Sequence, residues 1–150
     1  MPIARWVPPL TTLMAVAATA VAVYLTIAHY ADPDLLVCSE GGTVDCSSVT
    51  SSDQSLLFGI PVALLGLIWA AGVTVLCLPV AWRASSRLVH QARLVAVVGG
   101  MAFVLWLIYA ELILVGAICI WCTVVHVLAF GLFVVVVMTY SDLMAESRDV

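Results

Sequence analysis

Apolar positions in this chain come in runs far longer than a soluble core uses, and polar segments divide them. The first run extends from Val7 to Ala28 and ends at His29-Tyr30, an aromatic boundary typical of a helix end at a membrane surface. Pro8 and Pro9 fall in its opening turn, where a missing N–H costs nothing. This predicts a first span over residues 7–30. Residues 31–57 are polar and acidic and form a loop. A second uncharged run, Leu56 to Trp82, predicts a span over 59–81 with Pro61 near its start. Trp82 to Arg93 reads as a short basic connector. From Leu94 to Tyr140 only Glu111 and His126 interrupt the apolar pattern. As one helix that run would extend roughly 70 Å, more than twice the hydrocarbon thickness of a bilayer. It must fold back, and Val115-Gly116 is the expected break, giving spans 94–115 and 117–140 ahead of a short polar tail.

Composition supports the pattern. The chain is 65% hydrophobic and 9% charged, with a mean hydropathy of +1.21, whereas a soluble domain carries roughly 25% charged residues. The expected fold is therefore an all-α integral membrane protein: a single domain over 1–150, built as a four-transmembrane-helix bundle with a long extracytoplasmic loop between the first two helices. No cleaved leader is expected, because the first run is long enough to span and lacks a short h-region with a cleavage site. The basic residues Arg5, Arg83, Arg87, Arg93 and Arg148 all fall in the N-terminus, the second connector and the tail. Four spans place those segments on one side. The positive-inside rule then puts both termini in the cytoplasm and the acidic loop outside. Nothing in the pattern suggests nucleic-acid binding.

That topology gathers four of the five cysteines at the outer end. Cys119 and Cys122 form a C-x-x-C pair at the start of the last span. There they share a helix face and meet unpaired N–H groups and a helix dipole that favour a thiolate. Cys38 and Cys46 lie in the loop and flank Gly41-Gly42, which permits a tight turn. In an oxidising compartment a disulfide is expected between them, as a structural staple or as a redox relay. A Cys₄ zinc site is disfavoured by the C-x₇-C half and by the compartment, so no metal is expected. Cys77, toward the other end of the second span, reads as a small buried hydrophobe.

A dithiol relay needs an acceptor. The chain carries no dinucleotide or flavin fingerprint, and an acceptor that dissolves in the bilayer is a quinone, menaquinone or ubiquinone. His126 lies one turn inward from Cys122, and Glu111 lies near the outer end of the third span. Ionisable groups in a membrane span are functional candidates by default.

The ordered set of features resembles the vitamin K epoxide reductase family in its bacterial branch. The features are the loop pair Cys38 and Cys46, then Ser55-Leu56-Leu57-Phe58-Gly59-Ile60-Pro61 leading into the second span, then Cys119-Ile120-Trp121-Cys122 opening the last. The resemblance runs from about Thr11 to Met138. It implies a four-helix bundle around a quinone capped by the loop, with Cys122 next to the quinone, Cys119 exchanging with Cys46, and Cys38 exposed to the donor. It implies quinone contacts from Ser52, Ser55, Phe58, Glu111 and His126. Ser55 stands where animal members carry an asparagine, and His126 where they carry a tyrosine, which argues against an epoxide as natural substrate.

Only ten residues follow the last span, so the donor implied is a separate extracytoplasmic thioredoxin-fold protein, DsbA-like, at a bacterial cell membrane. The expected function is a quinone-coupled thiol-disulfide oxidoreductase supporting disulfide formation. Alternatives are an epoxide or quinone reductase proper and a non-catalytic subunit stapled by disulfides. A DsbB-type oxidase is disfavoured because that family places C-x-x-C in its first outer loop.

Overall fold

The computed structural model describes residues 3–32, 35–38 and 42–146, of which 142–146 by backbone alone. Gly41 of the glycine turn and Arg148 of the basic set lie outside the described residues.

Helix α1 (Val7–Tyr30) takes up the first apolar run, with proline at its opening positions. Its inward stripe is Thr11, Ala15, Ala18, Ala22, Leu25 and Ala28, all buried. Steps of three and four residues keep these on one face. Small side chains there let neighbouring helices approach closely, which drives helix association in lipid.

Between α1 and the second long helix the chain builds a cap. A five-residue helix α2 (Cys46–Thr50) is followed by a 3₁₀ turn over Asp53–Ser55. A two-residue hairpin comes next, with β1 (Leu56–Leu57) antiparallel to β2 (Ile60–Pro61). The hairpin's two loop residues, Phe58 and Gly59, both have positive φ, 54° and 80°. That is the mirror-image turn that matches strand twist.

Helix α3 (Val62–Cys77) begins later than the expected residue 59, because the chain up to Pro61 is used in the hairpin. It also ends before the expected residue 81. Pro79 cannot donate to the helical ladder, and the chain restarts as the single turn α4 (Pro79–Trp82). Helix α5 (Arg87–Tyr109) starts well before residue 94 and runs into a π-helical segment, Ala110–Val115. Gly116, at φ 71°, ends that segment in the left-handed region, where glycine carries no Cβ penalty. Helix α6 (Ile120–Glu146) completes the bundle.

Thr12 and Thr19 of α1 bond Cys77 and Thr74 of α3, so those helices are antiparallel neighbours. The Trp69 Nε1–H donates to the Ala96 carbonyl at 2.8 Å, joining α3 to α5. Helix α6 packs against both α1 and α5 and closes the ring. Three of the helical stretches, Val7–Tyr30, Arg87–Val115 and Ile120–Ser141, are long and apolar enough to cross a bilayer, and Val62–Cys77 is a shorter apolar helix. The protein is a multi-pass four-helix membrane bundle.

The shortness of α3 explains where Arg93 sits. Sixteen residues span roughly 24 Å, less than a hydrocarbon core of about 30 Å. Its last carbonyls therefore end in an apolar setting where each needs a partner. Thr12 Oγ1 donates to Cys77 O at 2.6 Å and Arg93 Nε to Leu76 O at 2.7 Å. Arg93 is thus not part of a solvated connector. It is a buried helix cap, stacked 3.6 Å from the Trp82 ring. Trp82 in turn donates to Thr11 Oγ1 at 3.0 Å.

Candidate functional site

Two packed clusters bracket the bundle. One, at the arginine-bearing end, centres on Val73, Cys77, Trp82 and Leu132. The other, at the opposite end, contains Leu25, Ala28, Leu36, Val49, Ala117 and two cysteines, Cys46 and Cys119. Cys77 is free and buried in the first cluster, away from the other four.

Cys38 and Cys46 form a disulfide, with Cα atoms 6.2 Å apart. Gly42 sits between them at φ 71° and supplies the turn. Cys46 opens α2, whose N-cap is Asp45. The Asp45 carboxylate accepts from the Ser48 N–H at 2.9 Å, the Ser48 hydroxyl at 2.6 Å and the Ser47 hydroxyl at 2.8 Å. Those donors favour the charged form and hold the carboxyl at a pKa of about 2, below its ordinary 3.8.

The loop is stitched to the C-x-x-C segment from both of its arms. Val44 pairs with Ile118 in a parallel bridge. The Ile118 N–H donates to Thr43 O at 2.9 Å and the Asp45 N–H to Ile118 O at 3.2 Å. On the other arm the Trp121 Nε1–H donates to Val37 O at 3.2 Å. The Tyr24 hydroxyl donates to Leu35 O and accepts from the Val37 N–H. Tyr24 and Trp121 meet edge to face at 4.9 Å. The residues just before Cys38 and Cys46 are therefore both fastened to residues flanking Cys119. Cys46 and Cys119 are 1% and 0% exposed, while Cys38 is half-buried.

Cys119 and Cys122 are free thiols. Cys119 directly precedes α6, so it stands at the cap and not inside the first turn. Its Sγ accepts the Cys122 N–H at 3.4 Å, and its carbonyl accepts the Thr123 N–H at 2.9 Å. A thiol in this position substitutes for the hydroxyl or carboxylate of an ordinary N-cap.

Cys122 also lines a cavity of about 390 Å³ that runs inward from the cap. Its walls are mostly aliphatic and aromatic, including Leu25, Val62, Trp69, Phe103, Val104 and Val125. Ser52, Ser55, Glu111 and His126 all face it, so four of the five expected contact residues come together. Phe58 does not: it is 96% exposed at the hairpin tip. Alternation along the strand turns Leu57 into the cavity, and the left-handed turn carries Phe58 away from it. His29, Thr50 and Gln54 also line the cavity and were not anticipated. His29 had been legible only as the end of an apolar run.

His126 is 7% exposed, and among the described residues it has no hydrogen-bond partner in the protein. Gly66, Gly99 and Gly100 border the inner part of the cavity, and Gly99 is exposed on the outer surface of α5. The cavity wall at Gly99 is thus also part of the outer surface of the bundle. Among the described residues no cluster suited to a metal ion is present.

A C-x-x-C pair, Cys119 buried and Cys122 half-buried, beside an apolar cavity and under a disulfide-bearing cap in a membrane bundle, defines a class: membrane thiol oxidoreductases. Residues 9–137 match the sequence model of the vitamin K epoxide reductase family, and the chain belongs to that family of oxidoreductases. A comparison with individual curated proteins gives no significant match.

Proposed function

We propose that the protein oxidises an extracytoplasmic thioredoxin-fold dithiol and delivers the electrons to a membrane quinone. The observation that carries this reading is the bridge between residues 43–45 and Ile118, which seats buried Cys46 in the same cluster as buried Cys119. A donor thiolate attacks Cys38, the more accessible sulfur of the loop disulfide, and Cys46 leaves as thiolate. When Cys119 and Cys122 are joined, Cys46 attacks Cys119 and frees Cys122. The second donor thiol resolves the mixed disulfide, and Cys38 resolves the Cys46–Cys119 bond. Two electrons then rest on the Cys119/Cys122 dithiol, with the loop disulfide restored.

The cavity suits the acceptor. An apolar lining with a few convergent polar groups is what an isoprenoid quinone needs. Menaquinone or ubiquinone would hold its ring between Cys122 and the cap, and its tail would leave past Gly99 into lipid. His126 would donate to a ring oxygen, with Ser52 and Ser55 on the cap side. The arginine-bearing end would face the cytoplasm and both cysteine pairs the outside, as the charge distribution favours.

The test uses purified full-length protein, a reduced thioredoxin-fold dithiol as donor and duroquinone as acceptor. Cys122→Ala should abolish duroquinone reduction, whereas Cys77→Ala should leave it nearly intact. Wild-type turnover in Cys122→Ala would remove the assignment. If Cys38→Ala keeps full turnover with the protein donor, the loop disulfide is a staple only.

A further inference from the structure

Glu111 is the one acidic residue between Leu94 and Tyr140, and it is 8% exposed. Its three successors, Leu112, Ile113 and Leu114, are all exposed on the outside of the bundle, at 46% or more. Glu111 therefore faces inward while the residues after it face out. It lies in the π-helical segment Ala110–Val115. The Glu111 carbonyl accepts the Gly116 N–H at 2.9 Å and the Ala117 N–H at 3.2 Å, closing the wide turn at the left-handed glycine. Segments of this type are rare and are frequently found at functional sites.

The result is a specific juxtaposition. Glu111 and Cys122 line the same cavity, brought together by the turn that joins the π-helical segment to α6. His126 borders the same cavity one helical turn beyond Cys122, with no hydrogen-bond partner among the described residues. Among the described residues lining the cavity, Glu111 is the one carboxyl.

We propose that Glu111 is a catalytic proton carrier between the Cys122 thiol and the quinone, rather than a group that merely binds the ring; this rests on the quinone-reductase reading above. The balance is simple. The dithiol loses two electrons and two protons and gains the Cys119–Cys122 bond. The quinone gains both electrons and both protons and becomes quinol. The Glu111 carboxylate takes the proton from the Cys122 thiol as its sulfur gives up the electron pair, and releases that proton to the ring oxygen on the cavity side. It ends each turnover in the state in which it began. The Cys119 proton leaves as Cys119 attacks Cys122, and the second quinone oxygen takes up one proton in exchange. Carboxylates positioned for such transfers contribute about 10²- to 10⁴-fold.

Glu111→Gln keeps the shape but cannot carry a proton. With the full-length reduced protein and duroquinone, its single-turnover rate should fall about 10²-fold or more. Glu111→Asp should retain part of the rate. A second readout needs no quinone. In the infrared spectrum of the dithiol form, the Cys122 S–H stretching band, identified by its loss in Cys122→Ser, should shift when Glu111 becomes glutamine. An unchanged single-turnover rate in Glu111→Gln overturns the proposal. So does a reduced rate with an unmoved S–H band, which would leave Glu111 a ring contact. If Cys122→Ala itself still reduces duroquinone, the quinone-reductase reading fails first; an inactive Cys122→Ala with an active Glu111→Gln sinks the proton carrier alone.

Discussion

Asp45 shows how much a single side chain organises at the cap. Its carboxylate holds three donors and starts the short helix that presents Cys46. Because the folded pKa is depressed to about 2 from 3.8, the capping contribution is fully present above about pH 4. It is lost as pH falls toward 2. Carboxyl NMR of the protein in detergent should place the Asp45 titration near 2, and Asp45→Ala should remove it. The same variant should slow exchange between Cys46 and Cys119, measured by trapping the mixed disulfide. His126 carries the boldest residue-scale expectation. Reduction develops charge on quinone oxygens in a site of low dielectric, where a positioned donor is worth most. His126→Leu should lower duroquinone turnover by about 10²-fold while leaving exchange between the cysteine pairs unaffected. Unchanged quinone kinetics would return His126 to a packing role.

At the scale of elements, helix α3 depends on its neighbours to end where it does. Arg93→Leu would leave the Leu76 carbonyl without its donor in an apolar setting and remove the stack on Trp82. The expected cost is about 1–3 kcal/mol for the orphaned acceptor, read as a lower melting temperature in detergent. Arg93→Lys restores charge without the planar stack and should recover only part of it. A fully stable Arg93→Leu would show that the cap is dispensable. The same elements show where sequence patterning is informative. The bounds of α1 could be read directly, because the run is unbroken and its small-residue stripe keeps a helical period. The ends of α3 could not. Apolar residues continue past Pro79 and precede Pro61, so hydropathy runs through both boundaries. Arg93 counts with the basic connector in the sequence because a charge count carries no information on which carbonyls lie nearby. Glu111 was visible as an anomaly. Its direction was not, since a π-helical turn shifts the phase of every residue after it.

For the whole molecule, the bundle places four arginines and Cys77 toward one end and the two cysteine pairs at the other. Single reporter cysteines at Ser51 and Ser86, both exposed, in a background without other cysteines, should therefore label from opposite sides of the membrane. Labelling from one side would rule out the proposed orientation. Of the residues singled out by spacing, rarity in a span or family resemblance, Cys122, Ser52, Ser55, Glu111 and His126 line one cavity, and Cys38, Cys46 and Cys119 gather at its capped end. The exchange of Phe58 for Leu57 hung on one turn conformation. The cavity positions of His29 and Gln54 emerge only when helix and cap are folded together. The bridge from Val44 to Ile118 joins residues far apart in sequence, and no local pattern announces it.

That bridge has a kinetic consequence. Two thiol pairs joined only by a flexible loop would meet at an effective concentration set by the loop's length. Backbone pairing of Val44 with Ile118, two residues before Cys46 and one before Cys119, replaces that search with a fixed approach. Well-oriented intramolecular reactions reach effective molarities of about 10⁵ M or more. In the proposed relay the transfer from loop to bundle would then never limit turnover. The rate would be governed at its two ends, by donor encounter at Cys38 and by quinone exchange past Gly99. Adding donor or quinone in excess should expose each limit in turn, with no third plateau between them.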